Sequence, residues 1–366
     1  MKSLELFSGC GGLAKGLANA GFEHLAFIEF NHWACESLRR NFSKDIVYEN
    51  DVRTVDFSRF QGVDLIAGGP PCQPFSLGGL AKAYDDHRDM FPQAIRAIQE
   101  LKPKGFIFEN VKGLTRKSFS EYFDYIILRL TFPDYLAVGN VSWRKHLAEL
   151  RSLEYPNIQS LKYRVQFRLL NAVDFGVPQN RERVFIVGLR ADIHSEWEWP
   201  EPIVKPSERL TVGDVIKKLP DPQGNHRMPD HVFVDGARIY AGHTGSELNK
   251  PSKTIKAGAH GVPGGENMIR FPDGSVRYMT IREAKLIQTF PATYQICGPW
   301  GEALRQIGNA VPVKLAELIG RNMYKALLFS QQTVPDEIVY RTGTDGAYLL
   351  FEKQKRYTTR RRTSKA

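Results

Sequence analysis

Short apolar runs alternate with stretches of helical apolar spacing through the first half of the chain. The runs at Leu4–Phe7, Leu25–Phe30, Asp45–Tyr48, Val63–Ala67 and Gly105–Phe108 predict strands, and Leu13–Ala20, Trp33–Asn41 and Phe91–Leu101 predict helices between them. Two further strands are predicted at Val165–Leu170 and Val184–Leu189. Alternation of this kind points to an α/β fold, a mostly parallel sheet with helices on both faces. Between these blocks, residues 115–162 read as an insertion, with helical spacing at Tyr122–Leu130 and Arg144–Leu153 and no evident function.

The texture changes near Asp192. Trp197, Trp199 and several prolines lead into a Gly-rich region bearing His and Lys that runs to about Val276, where the alternation is lost. This predicts a smaller, loop-rich second domain over 192–276, following a first domain over 1–191. Patterning returns at Thr280, which with Glu283 forms a T-x-x-E capping box for a helix ending before Pro291. A second helix is predicted from Val313 to about Phe329, so that 277–330 return to complete the first domain. Val339–Phe351 read as a hairpin interrupted at Gly343–Gly346, and a basic tail, KQKRYTTRRRTSKA, closes 331–366.

Composition narrows the class. With 366 residues, 42% hydrophobic and 25% charged, the chain is globular in character, and a net charge of +10 favours an anionic partner, nucleic acid first. Cys10, Cys35, Cys72 and Cys297 are the only cysteines and none lies in a C-x-x-C pair, which argues against a disulfide framework or a Cys-rich zinc site and fits a reducing compartment. Met1-Lys2 leads directly into strand-like SLELF, which leaves no room for a signal peptide, and no apolar run is long enough to span a bilayer. A soluble protein of the cytoplasm is expected, with no membrane partner and no metal.

The chemistry gathers at predicted strand ends, where ligands of open parallel sheets bind. After the first strand comes Ser8-Gly9-Cys10-Gly11-Gly12-Leu13, a glycine turn opening a helix, suited to close backbone approach and to an anionic group. Glu29 ends the second strand, at a position suited to ribose hydroxyls, and Asp51 follows the third. The fourth runs into Gly68-Gly69-Pro70-Pro71-Cys72-Gln73-Pro74-Phe75-Ser76, where the prolines stiffen the loop and Cys72 is either a presented, nucleophilic thiol or a buried structural cysteine. The fifth ends in Glu109-Asn110-Val111. Together these residues suit a nucleoside-type cofactor beside a thiol and a carboxyl group. Gln179-Asn180-Arg181-Glu182-Arg183 precedes the last strand; its two arginines form either a solvated charged turn or a pair of guanidinium groups able to grip a carbonyl or an anion.

LELFSGCGGL, GGPPCQPFS, FENV, QNRERVF, RYMTIREAKLIQTFP and QIGNAVPV, in this order from residue 4 to about 325, resemble the cytosine-C5 DNA methyltransferases of bacterial and phage modification systems. The resemblance implies a Rossmann-like methyltransferase fold with a seven-stranded, mostly parallel sheet and a smaller target-recognition domain. It implies S-adenosylmethionine as methyl donor and S-adenosylhomocysteine as product. Phe7, Ser8, Gly9, Cys10, Gly11, Gly12 and Leu13 would wrap that cofactor. Glu29 would bind its ribose beside Phe30, and Asp51 with Val52 its adenine. Gly69, Pro71, Met90, Asn309, Ala310 and Val311 would complete the pocket. Cys72 would be the nucleophile, Glu109 would handle the N3/N4 edge of the base, and Arg183 its O2, with Arg181 alongside. Residues 192–276 would read double-stranded DNA, with Lys250, Lys253, Lys256, Arg238 and Arg270 as candidate phosphate contacts. A monomer, paired with a restriction endonuclease and associated with the bacterial nucleoid through DNA, is expected.

Such chemistry needs these groups. Cytosine C5 is a weak nucleophile, and thiolate addition at C6 makes the ring enamine-like. A neutral or proton-sharing carboxyl at N3 offsets the charge that builds on the ring. A tRNA cytosine methyltransferase would use the same groups, but the Cys-Phe-Thr segment of that branch is absent from the variable region. A zinc cytidine deaminase would need a second cysteine where Phe75 stands, and the one H-x-E, at His194-Ser195-Glu196, lies on the wrong side of Cys72. A regulator that kept the fold and lost catalysis is the remaining alternative.

Overall fold

The computed structural model describes residues 1–71, 89–137, 139, 141–153, 160–258 and 267–329. Cys72 and the hairpin and tail expected over 331–366 lie outside the described residues.

Seven strands form the central sheet: β1 (Lys2–Leu6), β2 (Glu23–Glu29), β3 (Val47–Glu49), β4 (Leu65–Gly68), β5 (Gly105–Val111), β6 (Tyr163–Asn171) and β7 (Glu182–Arg190). Their order is β3-β2-β1-β4-β5-β7-β6. The pairs among β1 to β5 are parallel, and β7 runs antiparallel to both β5 and β6. The order of the strands reverses between β1 and β4, which is where an open α/β sheet opens a crevice for a ligand.

Period-two alternation sorts the strands' side chains onto two faces. Leu4, Leu6, Ile66, Phe106, Phe108, Val184 and Ile186 pack into one core with α3 (Phe91–Leu101) and α4 (Ser120–Thr131). Leu65, Ala67, Ile107, Phe185, Val187 and Leu189 pack into the other with α1 (Gly12–Asn19) and α9 (Val313–Phe329). Helix α2 (His32–Asn41) places Cys35 and Leu38 against Phe27 and Val47. This is the α/β architecture that the alternation predicts, and α3 spans the predicted residues.

The stretch read as an insertion folds as α4 and α5 (Trp143–Arg151). Tyr122 on α4 donates its hydroxyl to Asp89, whose other oxygen caps the start of α3 by accepting from Phe91 N at 3.1 Å. The helical pair thus braces the chain where it re-enters the sheet domain.

Beyond β7 the loop-rich region holds more regular structure than its sequence predicts. It contains a short helix, α6 (Val212–Ile216), and a three-stranded sheet of β8 (Ser246–Glu247), β9 (Met268–Arg270) and β10 (Val276–Tyr278). These strands are two or three residues long, too short to show a repeat. The predicted capping box at Thr280 opens α7 (Ile281–Ile287), with Thr280 Oγ1 accepting from Glu283 N at 3.2 Å and Glu283 Oε2 accepting from Thr280 N at 2.9 Å. Helix α8 (Trp300–Asn309), which was not anticipated, fills Ala303, Leu304 and Ile307 into the core on the way to α9. The glycines at 301 and 308 mask its helical spacing in the sequence.

Candidate active site

The turn after β1 is bent at each step. Phe7 (φ +55°), Gly9 (φ +54°) and Gly11 (φ +85°) all adopt the left-handed region, which is costly for a side chain as large as Phe7 and typical of backbone held for function. Ser8 donates to its own strand at Glu5 O, 3.0 Å away. Tyr294 donates its hydroxyl to Cys10 O at 2.7 Å. A methyl group added at Gly12 would lie 2.3 Å from Val311 O, so the 310–311 backbone sits directly against the start of α1. Above Gly9 an added carbon would meet nothing within 4 Å. The turn is pinned from below and open above.

Glu29 closes the same crevice. Its carboxylate accepts from Gly9 N at 2.8 Å and from Phe30 N and Asn31 N at 3.0 and 2.8 Å. The first bond ties β2 to the glycine turn, and Phe30 beside it is 76% exposed. Asn50 N donates to Glu29 O at 2.9 Å, which brings Asp51 and the buried Val52 alongside. Asp51 caps the turn after β3 and is gripped by Arg53, which holds its carboxyl below the usual range. An open glycine turn, an acid bound to it and an exposed aromatic ring fit the adenosyl and amino-acid parts of S-adenosylmethionine.

A second cluster sits at the ends of β5 and β7. Glu109 is 7% exposed, and Arg183 Nε approaches its Oε1 to 2.9 Å without directing an N–H along that line. Register pairs Val111 with Arg183 across the two strands. Burial raises the Glu109 carboxyl above its ordinary value, against the opposing pull of the two arginines. Burial also lowers Arg183, but a guanidinium starts so high that it stays charged. Oε2 of Glu109 lies 3.5 Å from where a side chain at Gly69 would begin.

The approach to Cys72 is fixed from both sides. Asn110 Nδ2 donates to Pro70 O at 2.9 Å, and Met90 N donates to Pro71 O at 3.2 Å. The residues immediately before Cys72 are therefore held next to Glu109. Of the other cysteines, Cys10 and Cys35 are buried, and burial pushes both thiols up to about 12, too high for either to supply a thiolate at neutral pH.

Arg181, two residues before Arg183, is close enough to both Arg183 and Glu109 to act on them electrostatically. It is 1% exposed and donates to Ile255 O at 3.2 Å and to Gly308 O at 2.8 Å. It precedes β7, and both of its terminal nitrogens are committed to backbone carbonyls. Asn309 is exposed, while Ala310 and Val311 are buried beside Gly12. Gln179, Gln288, Asn110 and Tyr294 organise the site and were not singled out by sequence, although each lies in or next to a stretch rich in motif residues.

The sequence profile described as C-5 cytosine-specific DNA methylase matches residues 1–144, 138–259 and 234–325. Type II methyltransferase M.NgoMIV of Neisseria gonorrhoeae is 35% identical over 336 residues, covering 89% of this chain and 97% of that protein. Type II methyltransferase M.FnuDI of Fusobacterium nucleatum is 30% identical over 375 residues, covering 94% and 100%. In fold, the chain resembles S. pombe Dnmt2 with a TM-score of 0.63 at 17% identity, over 91% of this chain and 100% of that one. Entamoeba histolytica EhMeth gives 0.61 at 14% identity, over 91% and 99%. The chain belongs to the C-5 cytosine-specific DNA methylase family. Its activity is that of a DNA (cytosine-5-)-methyltransferase using S-adenosylmethionine.

Proposed function

We propose that this enzyme methylates a flipped-out cytosine in a specific duplex site through a covalent adduct between Cys72 and C6. The observation that carries this reading is the buried Glu109–Arg183 pair, with Pro70 and Pro71 anchored beside it by Asn110 and Met90. Cys72 follows Pro71 directly.

S-adenosylmethionine, when bound, supplies an electrophilic methyl group on a sulfonium. The residues that would hold it are Phe7 to Leu13, Glu29, Phe30, Asp51, Val52, Gly69, Pro71, Met90 and Asn309 to Val311. The Cys72 thiolate adds to C6, and its electron pair passes through the ring to leave C5 nucleophilic. Glu109, whose carboxyl burial pushes up against the pull of the arginines, shares a proton with N3 and offsets the charge that addition places on the ring. Arg183 stabilises the negative charge that develops on O2. Once C5 carries the methyl group, its proton leaves to solvent or base, and the thiolate departs as the double bond re-forms. Extrusion of the base from the duplex costs roughly a few kcal/mol.

Residues 192–276 act as the reader, with β8 and β9 in its framework and Arg238, Lys250, Lys253, Lys256 and Arg270 toward phosphates. The Type II names of the relatives support pairing with a restriction endonuclease. Among the described residues no helix is long and apolar enough to cross a membrane.

The test is covalent trapping. Incubated with S-adenosylmethionine and duplex DNA containing 5-fluorocytosine, the enzyme should form an adduct stable on a denaturing gel, and Cys72→Ala should form none. Normal turnover by Cys72→Ala would remove the nucleophile assignment. Bisulfite sequencing of methylated plasmid would supply the target site.

A further inference from the structure

Three segments far apart in sequence cross at one buried point. Gln179 and Arg181 come from the approach to β7, residues 252–257 from the loop-rich region, and 307–310 from the end of α8. Gln179, Gln288, Ser252 and Asn267 are fully buried. Ser252, Ile255 and Lys256 in the 252–257 backbone are each held at both N and O. Ser252 N donates to Pro178 O at 2.9 Å, and Ser252 O accepts from Asn180 N at 2.8 Å. Ile255 N donates to Gln179 Oε1 at 3.1 Å, while Ile255 O accepts from Arg181. Lys256 exchanges both of its backbone bonds with the Asn267 side chain, at 2.9 and 2.8 Å.

The same groups hold the loop on the other side. Gln179 Nε2 donates to Gln288 Oε1 at 3.1 Å, and Gln288 Nε2 donates to Ile307 O at 2.7 Å and Ala310 O at 3.2 Å. Arg181 bridges Ile255 O and Gly308 O with its two terminal nitrogens. Gly308 has no room for a side chain, since a carbon there would lie 2.5 Å from Ala257 N and from Lys256 C. Its neighbours Ala310 and Val311 press against Gly12. Loss of Arg181 leaves Ile255 O and Gly308 O without the side-chain donor that pairs them, and loss of Gln288 does the same to Ala310 O.

We propose that Gln179, Arg181 and Gln288 are positioning residues that fasten the 252–257 segment to residues 307–310 at the end of α8. Filling the cofactor pocket then stiffens the segment that leads into DNA read-out. This rests on the reading above that Asn309 to Val311 line that pocket and that 192–276 read DNA. Arg181, bonded to Ile255 O and to Gly308 O, sets the distance between the two segments.

Hydrogen exchange of the full chain, with and without saturating S-adenosylhomocysteine, tests this without knowledge of the target site. In the unaltered protein, exchange of peptides covering 252–257 should slow on the order of tenfold when the pocket fills, the usual size of such coupling. In Arg181→Lys, which cannot bridge both carbonyls, 307–313 should still be protected and 252–257 should not. Gln288→Met removes the other link and should separate the two segments in the same way. Protection at 307–313 with none at 252–257 in the unaltered protein would overturn the proposal. So would equal protection of 252–257 in both folded variants. Failure of S-adenosylhomocysteine to bind the unaltered protein, seen by calorimetry, would overturn the pocket reading and this proposal with it.

Discussion

Glu5→Gln should remove a loss of stability that the unaltered protein suffers between pH 6.5 and pH 8. Glu5 on β1 is fully buried, and neither carboxyl oxygen has a hydrogen-bond partner. Burial pushes its carboxyl up from 4.5 to about 8. His24 on β2 approaches to 3.3 Å, and burial pushes its imidazole down from 6.5 to about 4. Its Nε2 faces Ala14 O at 3.0 Å and must carry the proton, because a carbonyl can only accept. Nδ1 is then an acceptor, with the Ser3 hydroxyl at 2.8 Å. Both groups are neutral in the folded protein, which holds one proton on the pair from about pH 4 to about pH 8.

In the unfolded chain the pair also holds one proton between 4.5 and 6.5, as carboxylate and imidazolium, and none above. The raised carboxyl stabilises the fold fully below 4.5, and that contribution is lost as pH rises toward 8. The depressed imidazole stabilises the fold above 6.5, and that contribution is lost as pH falls toward 4. The two slopes cancel from 4.5 to 6.5. Above 6.5 only the carboxyl's slope remains, and it removes about 2 kcal/mol by pH 8. With Gln at position 5 nothing in the pair titrates above 6.5. Urea denaturation followed by tryptophan fluorescence at both pH values, on both proteins, isolates the difference from the other titrating groups. Equal losses in the two proteins would refute a neutral buried Glu5.

Glu109→Gln should lower kcat by about 10²- to 10⁴-fold with little change in calorimetric affinity for S-adenosylhomocysteine; a defect in cofactor affinity alone would contradict the proton-sharing role. Gly12→Ala forces a methyl group onto Val311 O and should weaken cofactor binding by at least about tenfold while the far-ultraviolet dichroism is retained. Tyr294→Phe leaves Cys10 O without its donor and should cost about 1–3 kcal/mol in denaturant unfolding. DNA affinity should fall steeply with salt, and Ala at both Arg238 and Arg270 should reduce the slope of that plot by about 2.

Strand alternation and local capping were legible in the sequence because they depend on neighbours a few residues away. Leu4 and Leu6 share a face by pleat alone, and Thr280 finds Glu283 three positions on. The residue types at the strand ends were legible for the same reason, since the turns after β1, β2 and β4 follow their strands directly. What Arg181 does was not. The carbonyls it holds lie 74 and 127 positions away, and a guanidinium two residues from Arg183 reads as its twin until the fold shows where each points. Likewise no pattern in SLELF shows that Glu5 is buried and protonated, because that depends on which strand and which helices close over it. Identity and order of elements follow from short-range sterics and patterning. The charge state of a group, and its partners, are decided by burial, and only the completed tertiary structure sets that.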